Sequence, residues 1–209
     1  MNARRIAGLA LIALLAGCAR PAPPKIAHVP KAGVVWADDI PVAHTPPGGY
    51  GKTFPKPVLA ACTEPLVGGA PDLRGIWKTL LATRDGKPVP KGQRIYNYVE
   101  RIEQCGDRIV DMGGGTIADA RADGSEENGV HDVSVFDYKS PIRVLATYED
   151  GVFVLRPLLI PGLTVTIPWI EVTRRLDADG HMIWIRPDLG HLHVTLVRIG
   201  KATDGYTRK

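Results

Sequence analysis

Short apolar runs separated by tight-turn sequences dominate the chain from Leu73 onward and restrict what it can fold into. The strongest hairpin signal is Glu149-Asp150-Gly151, because an Asp-Gly pair tolerates the positive φ of a tight turn between two apolar runs. The predicted strands cover residues 75–81, 95–104, 108–112, 116–122, 142–148, 152–158, 171–176, 181–186 and 191–199, with a further short strand near Val133. Tight turns make successive strands antiparallel, and closure removes the exposed sheet edges. We therefore predict an all-β, antiparallel up-and-down meander that closes into a barrel of about eight to nine strands.

The segment before this pattern is rich in proline. Eleven of the 18 prolines lie between Pro21 and Pro71. Proline fixes φ and lacks an N–H group, so such a stretch does not form regular sheet ladders. We predict a semi-extended tether over residues 18–57, with a reach on the order of 100 Å. The barrel domain is then expected over residues 58–201 and a C-terminal tail over 202–209.

The N-terminus carries Arg4 and Arg5, an apolar run from Ile6 to Ala16, and then Gly17-Cys18. A run of this length is too short to span a membrane and suits a secretory signal. The stretch Leu15-Ala16-Gly17-Cys18 resembles the lipobox of bacterial lipoprotein signal peptides. The alternative is an ordinary signal peptide with a cysteine near its cleavage site.

The lipobox resemblance implies removal of residues 1–17 and acylation of Cys18, which then anchors the chain to a membrane. Ala19 stands where the family's inner-membrane retention signal is usually Asp, which implies the outer membrane, facing the periplasm. Removing residues 1–17 lowers the formal net charge from +4 to +2 because Arg4 and Arg5 are lost. Such a small charge, evenly spread, gives no reason to expect a nucleic-acid partner.

Cys62 and Cys105 remain once Cys18 is committed to lipid. In an oxidising compartment we expect them to form a disulfide. The other possibility is two free thiols, one of them catalytic, although no CxxC motif or recognisable nucleophile motif surrounds either residue.

Gly75-Ile76-Trp77 on the first strand resembles the Gly-x-Trp signature of lipocalins. Arg198 on the last strand resembles the basic residue that packs over that tryptophan. The alternation of Leu192, Val194 and Leu196 supports this, since Arg198 follows on the same face. The resemblance, which covers about residues 73–200, implies a lipocalin-like (calycin-type) barrel. The other interpretation makes Trp77 a core residue and Arg198 a surface residue.

The predicted barrel suggests a non-catalytic protein that binds a small apolar or amphipathic molecule. Candidate lining residues are Val152, Val154, Ile183 and Ile185. The alternative is an envelope-maintenance or interaction protein with a filled barrel, in which the apolar segment 158–169 docks an envelope protein partner.

His191 and His193 are weak metal candidates, because their i, i+2 spacing places both on one face of a strand but no third ligand accompanies them. A turn over residues 187–190 would pair Arg186 with His191 and place Trp184 opposite His193. A third possibility is a metal-dependent or acid–base hydrolase that uses Ser125-Glu126-Glu127 and His131-Asp132. The chain contains no Gly-x-Ser-x-Gly motif, and we expect neither enzyme activity nor a cofactor.

Overall fold

The computed structural model of the chain describes residues 33–46, 48–125, 129–131, 142–159 and 171–207. Within these ranges the strands are β1 (Gly75–Arg84), β2 (Lys87–Pro88), β3 (Val99–Cys105), β4 (Arg108–Gly113), β5 (Thr116–Arg121), β6 (Gly129–His131), β7 (Ile142–Glu149), β8 (Val152–Leu159), β9 (Val172–Leu176), β10 (Met182–Arg186) and β11 (Leu192–Gly200). Three short 3₁₀ helices cover Ala37–Asp39, Arg94–Asn97 and Pro187–Leu189. The predicted signal peptide, Cys18 and the strand near Val133 lie outside the described residues.

The strands pair in chain order, and the last returns to the first. β3 to β11 form consecutive antiparallel pairs, β3 pairs with β1, and β11 closes the ring against the other side of β1. β2 pairs only with the end of β1. Nine strands of this sheet have five or more residues, and the three-residue β6 adds a short tenth member of the ring. The predicted all-β antiparallel meander is confirmed.

The β7–β8 hairpin has the predicted turn. Asp150 and Gly151 both have positive φ, 49° and 77°. Two positive φ values in a two-residue loop match the right-handed twist of the flanking strands. Glu149 and Val152 form the first pair of the hairpin.

The main core lies in the interior of the barrel. Leu192, Val194 and Leu196 of β11 belong to it, as do Met182 and Trp184 of β10. The other buried residues of this core are Leu73, Trp77, Ala82, Ile102, Ile109, Ala120, Val144, Ala146, Phe153 and Val172. The shared face predicted for the last strand is therefore observed.

The prediction that Val152, Val154, Ile183 and Ile185 line the interior is wrong, because these residues face the outside of the barrel. Met182 and Trp184 point inward, so Ile183 and Ile185 lie on the outer face of the barrel. Phe153 likewise points inward, which places Val152 and Val154 on the outer face. For β10 the physical reason is register. Arg186 pairs with Leu192 and not with His191, and a shift of one residue reverses the facing of a whole strand.

A second core lies on the outside of the sheet, where β3, β4 and β5 are covered by residues 35–46 and 48–59, here called the N-terminal strap. Four apolar strap residues are buried against the sheet. These are Ala37, Tyr50, Phe54 and Leu59, and the sheet residues beneath them include Val99, Val110, Met112 and Ile117. The tether predicted for residues 18–57 is thus wrong for its second half, which belongs to the folded unit.

Buried side chains of the sheet fasten the strap through its backbone. Arg108 donates hydrogen bonds to the carbonyl oxygens of Ala37, Ile40 and Pro41 at 2.6–2.9 Å. Arg101 donates to the carbonyl of Pro55 at 2.6 Å. Proline lacks a donor but keeps its carbonyl acceptor, so a proline-rich segment can bind arginine side chains without forming a ladder.

The strap is followed by the Cys62–Cys105 disulfide, whose Cα atoms are 6.1 Å apart. It joins the chain after the strap to the end of β3. By the chain-entropy argument, closing this 43-residue separation stabilises the fold by about 4 kcal/mol. Among the described residues, no helix has the length and hydropathy needed to cross a membrane.

Candidate functional site

One end of the barrel is closed by Trp77, which is fully buried. Its Nε1 donates a hydrogen bond to the carbonyl of Leu73 at 2.7 Å. The guanidinium carbon of Arg198 lies 4.6 Å from the centre of the indole ring, and Nη2 of Arg198 donates to the carbonyl of Asp72 at 3.0 Å. A cation over an indole face is favourable by about 0.5–2 kcal/mol. The structure thus brings the resemblance residues Trp77 and Arg198 together as a plug.

Gly75 is the third residue of this plug. Its φ is 156°, and a Cβ atom at this position would lie 3.0 Å from Cγ of Arg198. A Cβ atom here would require the Arg198 side chain to shift, so glycine allows the arginine to lie close against the strand and across the tryptophan.

The interior also holds a cluster of buried charges from three strands. Arg174 of β9 donates from Nη2 to Oε2 of Glu100 at 3.0 Å and to Oδ2 of Asp111 at 2.6 Å. The Tyr98 hydroxyl donates to the same Oε2 of Glu100 at 2.9 Å. The Glu100 side chain is 0% exposed and that of Arg174 is 4% exposed. We call Tyr98, Glu100, Asp111, Arg174 and Trp184 the interior cluster.

Strand register explains how residues distant in sequence meet. Glu100 is paired with Trp77, and Arg174 is paired with both Phe153 and Trp184, which all point into the barrel. Asp111 is paired with the inward residue Ile102. The charged residues occupy inward positions because every second residue of a strand must face the interior.

Aromatic rings form one side of the cluster. The rings of Tyr98 and Trp184 are stacked, with centroids 5.0 Å apart and an interplanar angle of 14°. The guanidinium carbon of Arg174 lies 5.5 Å from the Trp184 ring, and that of Arg186 lies 6.0 Å from it. The cluster therefore combines an apolar aromatic surface with charged hydrogen-bonding groups.

Several polar atoms of the interior cluster are buried without a hydrogen-bond partner in the described part of the chain. They are Oε1 of Glu100, Oδ1 of Asp111, Nε of Arg174 and Nε1 of Trp184. Leaving a buried polar group unpaired costs about 1–3 kcal/mol, and more when the group is charged. Two acceptors and two donors thus remain available for a molecule other than the chain itself.

The electrostatics of the cluster raise the pKa of Asp111 to about 7. Burial is the largest cause, the nearby carboxylate of Glu100 adds to it, and Arg174 opposes both. Burial by itself lowers the pKa of Arg174, but the carboxylates of Asp111 and Glu100 outweigh it, so this pKa lies above its ordinary range. Arg174 is therefore a permanent cation, while Asp111 exchanges its proton near neutral pH.

The predicted metal candidates His191 and His193 are both exposed. His191 precedes β11 with a φ of 43°, and His193 is paired with Ile185, not with Trp184. Neither belongs to a group of three close potential ligands among the described residues. A different histidine, His181, lies with Asp177 and Asp179 in the β9–β10 turn, with their ligand atoms within 4.8 Å of one another. There, Oδ1 of Asp177 accepts hydrogen bonds from the backbone N–H groups of Asp179 and His181. These hydrogen bonds of the turn explain why the three residues lie close together.

The loop candidates for acid–base chemistry fall mostly where the structure gives no side-chain detail. Residues 126–128, 132–141 and 160–170 lie outside the described residues, and they include Glu126, Glu127 and Asp132 as well as most of the apolar segment 158–169. Ser125 is described and is 7% exposed.

No protein-family model matches this chain, and no curated protein matches it. The likeness to a lipocalin-like barrel therefore stands on the closed antiparallel meander and on the arrangement of Gly75, Trp77 and Arg198.

Sequence reasoning missed the interior cluster. One signal was present, because Tyr98, Glu100, Ile102 and Gln104 alternate along the predicted second strand and would share one face. Asp111 and Arg174 carried no comparable signal, since their meeting depends on the order and register of strands far apart in sequence.

Proposed function

We propose that this chain is a lipid-anchored protein of the bacterial envelope, held by acyl groups on Cys18, that binds a small amphipathic molecule inside its barrel without catalysing a reaction. The lipobox resemblance of residues 15–18 supports the anchor, and Ala19 supports the outer membrane. The closed β-barrel supports the binding role, because barrels of this size either fill with side chains or hold one small ligand.

One observation carries the binding proposal. The four unpaired polar atoms of the interior cluster are buried beside the stacked rings of Tyr98 and Trp184. Buried polar groups in folded proteins are nearly always hydrogen-bonded, so the unpaired ones indicate where another molecule supplies partners. A ligand with one polar group and one apolar part matches these atoms and the adjacent rings.

The cluster refines the expected ligand. A purely apolar molecule would leave Oε1 of Glu100, Oδ1 of Asp111 and Nε of Arg174 without hydrogen bonds, and this would cost free energy. We therefore favour an amphipathic ligand over an apolar one, with a polar group that both donates and accepts hydrogen bonds.

Native mass spectrometry tests this proposal. Because the strap belongs to the folded unit, the protein should be residues 18–209 with Cys18→Ala, exported to the periplasm of its own host and purified without detergent. The expected result is a reproducible added mass that is lost on denaturation and is absent from a Glu100→Gln, Asp111→Asn variant of confirmed fold. A bare-chain mass, together with no stabilisation by extracted envelope lipids and metabolites, would contradict the proposal.

The second candidate function is interaction with an envelope protein. It is favoured by a bulge in β1, where pairing shifts between Thr79 and Leu81 and leaves Leu80 and Leu81 40% and 54% exposed. Ile199 of the adjacent β11 is 43% exposed. Photo-cross-linking from position 81 in cells would yield a specific protein adduct if this face binds a partner, while the exposed Lys52 position serves as the control site.

A further inference from the structure

A cleft of about 480 Å³ opens on the barrel surface, between the β1–β2 hairpin and the 3₁₀ helix Arg94–Asn97. This volume falls within the range of small-molecule sites. The cleft is separate from the interior cluster, with which it shares no residue. Its lining consists of Arg84, Asp85, Lys87, Pro88, Val89, Pro90, Gln93, Arg94 and Ile95.

The rim of this cleft carries more positive than negative charge. Arg84, Lys87 and Arg94 face a single acidic residue, Asp85. All three basic side chains are exposed, and the described part of the chain supplies no salt bridge to any of them. The neighbouring Lys91 differs, because it donates to the carbonyl of Leu80 and lies over the Tyr96 ring. Three cations are thus left to attract an anion.

The floor of the cleft is apolar. Val89 and Ile95 are partly buried and pack against the interior core of the barrel. Pro88 and Pro90 flank Val89 and restrict the backbone on both sides. A floor of this kind favours contact with a hydrocarbon group, because burial of apolar surface is favourable.

The frame of the cleft is held by hydrogen bonds. The backbone N–H of Val89 donates to the carbonyl of Ala82, and the hydroxyl of Tyr96 donates to the carbonyl of Val89 at 2.9 Å. The backbone N–H of Asp85 donates to the carbonyl of Gly190, which ties the hairpin to the loop before β11. A site held this way is formed before the ligand arrives, and less ordering accompanies binding.

We propose that this cleft binds a free amphipathic anion, with a carboxylate or phosphate group at Arg84, Lys87 and Arg94 and a hydrocarbon group on Val89 and Ile95. The site is independent of the one in the barrel interior, and either site can exist without the other. The arginines can bind the oxygens of the anion in a bidentate manner, and Lys87 adds a point charge.

Calorimetric titration of residues 18–209 carrying Cys18→Ala tests the site with three matched probes: octanoate, acetate and 1-octanol. Octanoate should bind more tightly than acetate, by about fourfold for each methylene group that the floor buries. It should also bind more tightly than 1-octanol, and this preference should shrink at high salt because salt screens exposed charges. Equal binding of octanoate and acetate, or of octanoate and 1-octanol, would overturn the proposal.

Single substitutions test whether octanoate binds in this cleft. Arg94→Gln and Lys87→Gln should each weaken octanoate binding about threefold, which is typical of an exposed ion pair. Arg175→Gln removes the same charge from an exposed position on β9 and should change nothing. Chemical-shift changes on octanoate addition should include Val89 and Ile95. Unchanged affinity in both cleft variants, or shifts confined to Tyr98, Glu100 and Asp111, would overturn the cleft site and leave the interior site standing.

Vesicles of anionic phospholipid distinguish a free ligand from a membrane surface. The Cys18→Ala chain should remain in the supernatant when such vesicles are sedimented. If the chain instead sediments with the vesicles and the Arg94→Gln variant does not, the cleft binds the anionic surface of a bilayer. This result would overturn the proposal of a free amphiphile.

Discussion

Arg108 and Asp119 are joined by two hydrogen bonds beneath the N-terminal strap, from Nε to Oδ1 at 2.8 Å and from Nη2 to Oδ2 at 2.7 Å. Both side chains are 3% exposed. Each also binds the strap, because Arg108 donates to three strap carbonyls and Asp119 accepts from the N–H of Ala43 at 2.8 Å. The pair therefore links the sheet to the strap.

Asp119→Ala should destabilise the fold by about 3–5 kcal/mol, because it leaves the Arg108 guanidinium buried without its counter-ion. The chain offers a matched control in Arg74 and Asp72, which make the same two hydrogen bonds at 2.8 and 2.7 Å but are each 50% exposed. Asp72→Ala should cost no more than about 1 kcal/mol. Urea unfolding of both variants gives the comparison, and equal losses would show that burial of the Arg108–Asp119 pair has no special role.

The stability of the protein should fall as pH rises from about 4 to about 7 through the titration of Asp111. Its pKa is about 7 in the folded protein and 3.8 when unperturbed, so between these values the folded state binds a proton that the unfolded state has released. The contribution is at most about 1.4 kcal/mol for each pH unit in this window, and it levels off above pH 7.

The variant Asp111→Asn isolates this contribution from those of other carboxyl groups. Relative to the variant, the wild type should lose stability between pH 4 and pH 7 as its Asp111 ionises. Chemical denaturation at several pH values measures the difference, with Asp150→Asn at an exposed turn as the control. A difference between wild type and Asp111→Asn that does not vary with pH would contradict the raised pKa.

Reduction of the Cys62–Cys105 disulfide should destabilise the fold by about 4 kcal/mol and should expose the strap to proteases. The loss arises because the reduced unfolded chain has more conformational freedom. Urea unfolding with and without a thiol reductant measures it. The double variant Cys62→Ala, Cys105→Ala should be equally destabilised and insensitive to reductant. If the wild type keeps its stability after its disulfide has been shown to be reduced, this expectation is contradicted.

Gly75→Ala should lower stability by about 1–3 kcal/mol, because the new Cβ atom would displace Arg198 and the residue would hold a φ of 156°. Thermal unfolding measures the change, and near-ultraviolet circular dichroism reports on Trp77. Gly68→Ala is the matched control, since a Cβ atom there meets nothing within 4 Å. A neutral Gly75→Ala would show that Arg198 moves aside without cost.

Cys18→Ser should abolish metabolic labelling of the chain by a palmitate analogue and should release it from the membrane fraction. Ala19→Asp is the matched control for this position, because it should keep the label and move the protein to the inner membrane, as the lipoprotein resemblance implies. Labelling that persists in Cys18→Ser would contradict lipid attachment at this residue.

The parts of the fold that local sequence determines were predictable. The Asp150-Gly151 turn and the shared face of Leu192, Val194 and Leu196 follow from turn chemistry and from alternation, which involve neighbours in the chain. The facing of β10 was not predictable, because it depends on whether His191 or Leu192 pairs with Arg186 across a turn containing the 3₁₀ helix Pro187–Leu189.

The strap and the interior cluster could not be predicted from neighbouring residues in the sequence, and the physical reason is the same for both. Prolines predict the absence of a ladder, but the donors that hold the strap are on Arg101 and Arg108, far along the chain. Similarly, Glu100, Asp111 and Arg174 come from strands whose order emerges only on closure of the sheet. Both features consist of charged side chains that occupy buried positions because distant partners satisfy them.

For a chain anchored through Cys18, as proposed, the position of the strap would limit the distance between the barrel and the bilayer. Val35 is already bound to the folded unit, since its N–H donates to Oγ1 of Thr63 and its carbonyl accepts from the N–H of Thr63. Only residues 19–34 then separate a lipid-bearing Cys18 from the folded unit. Sixteen residues span roughly 55 Å when fully extended, about two-fifths of what a tether ending at residue 57 would allow. With Cys18 in the outer membrane, the barrel would be confined to a thin layer of the periplasm next to that membrane. It would bind its ligands and partners within that layer.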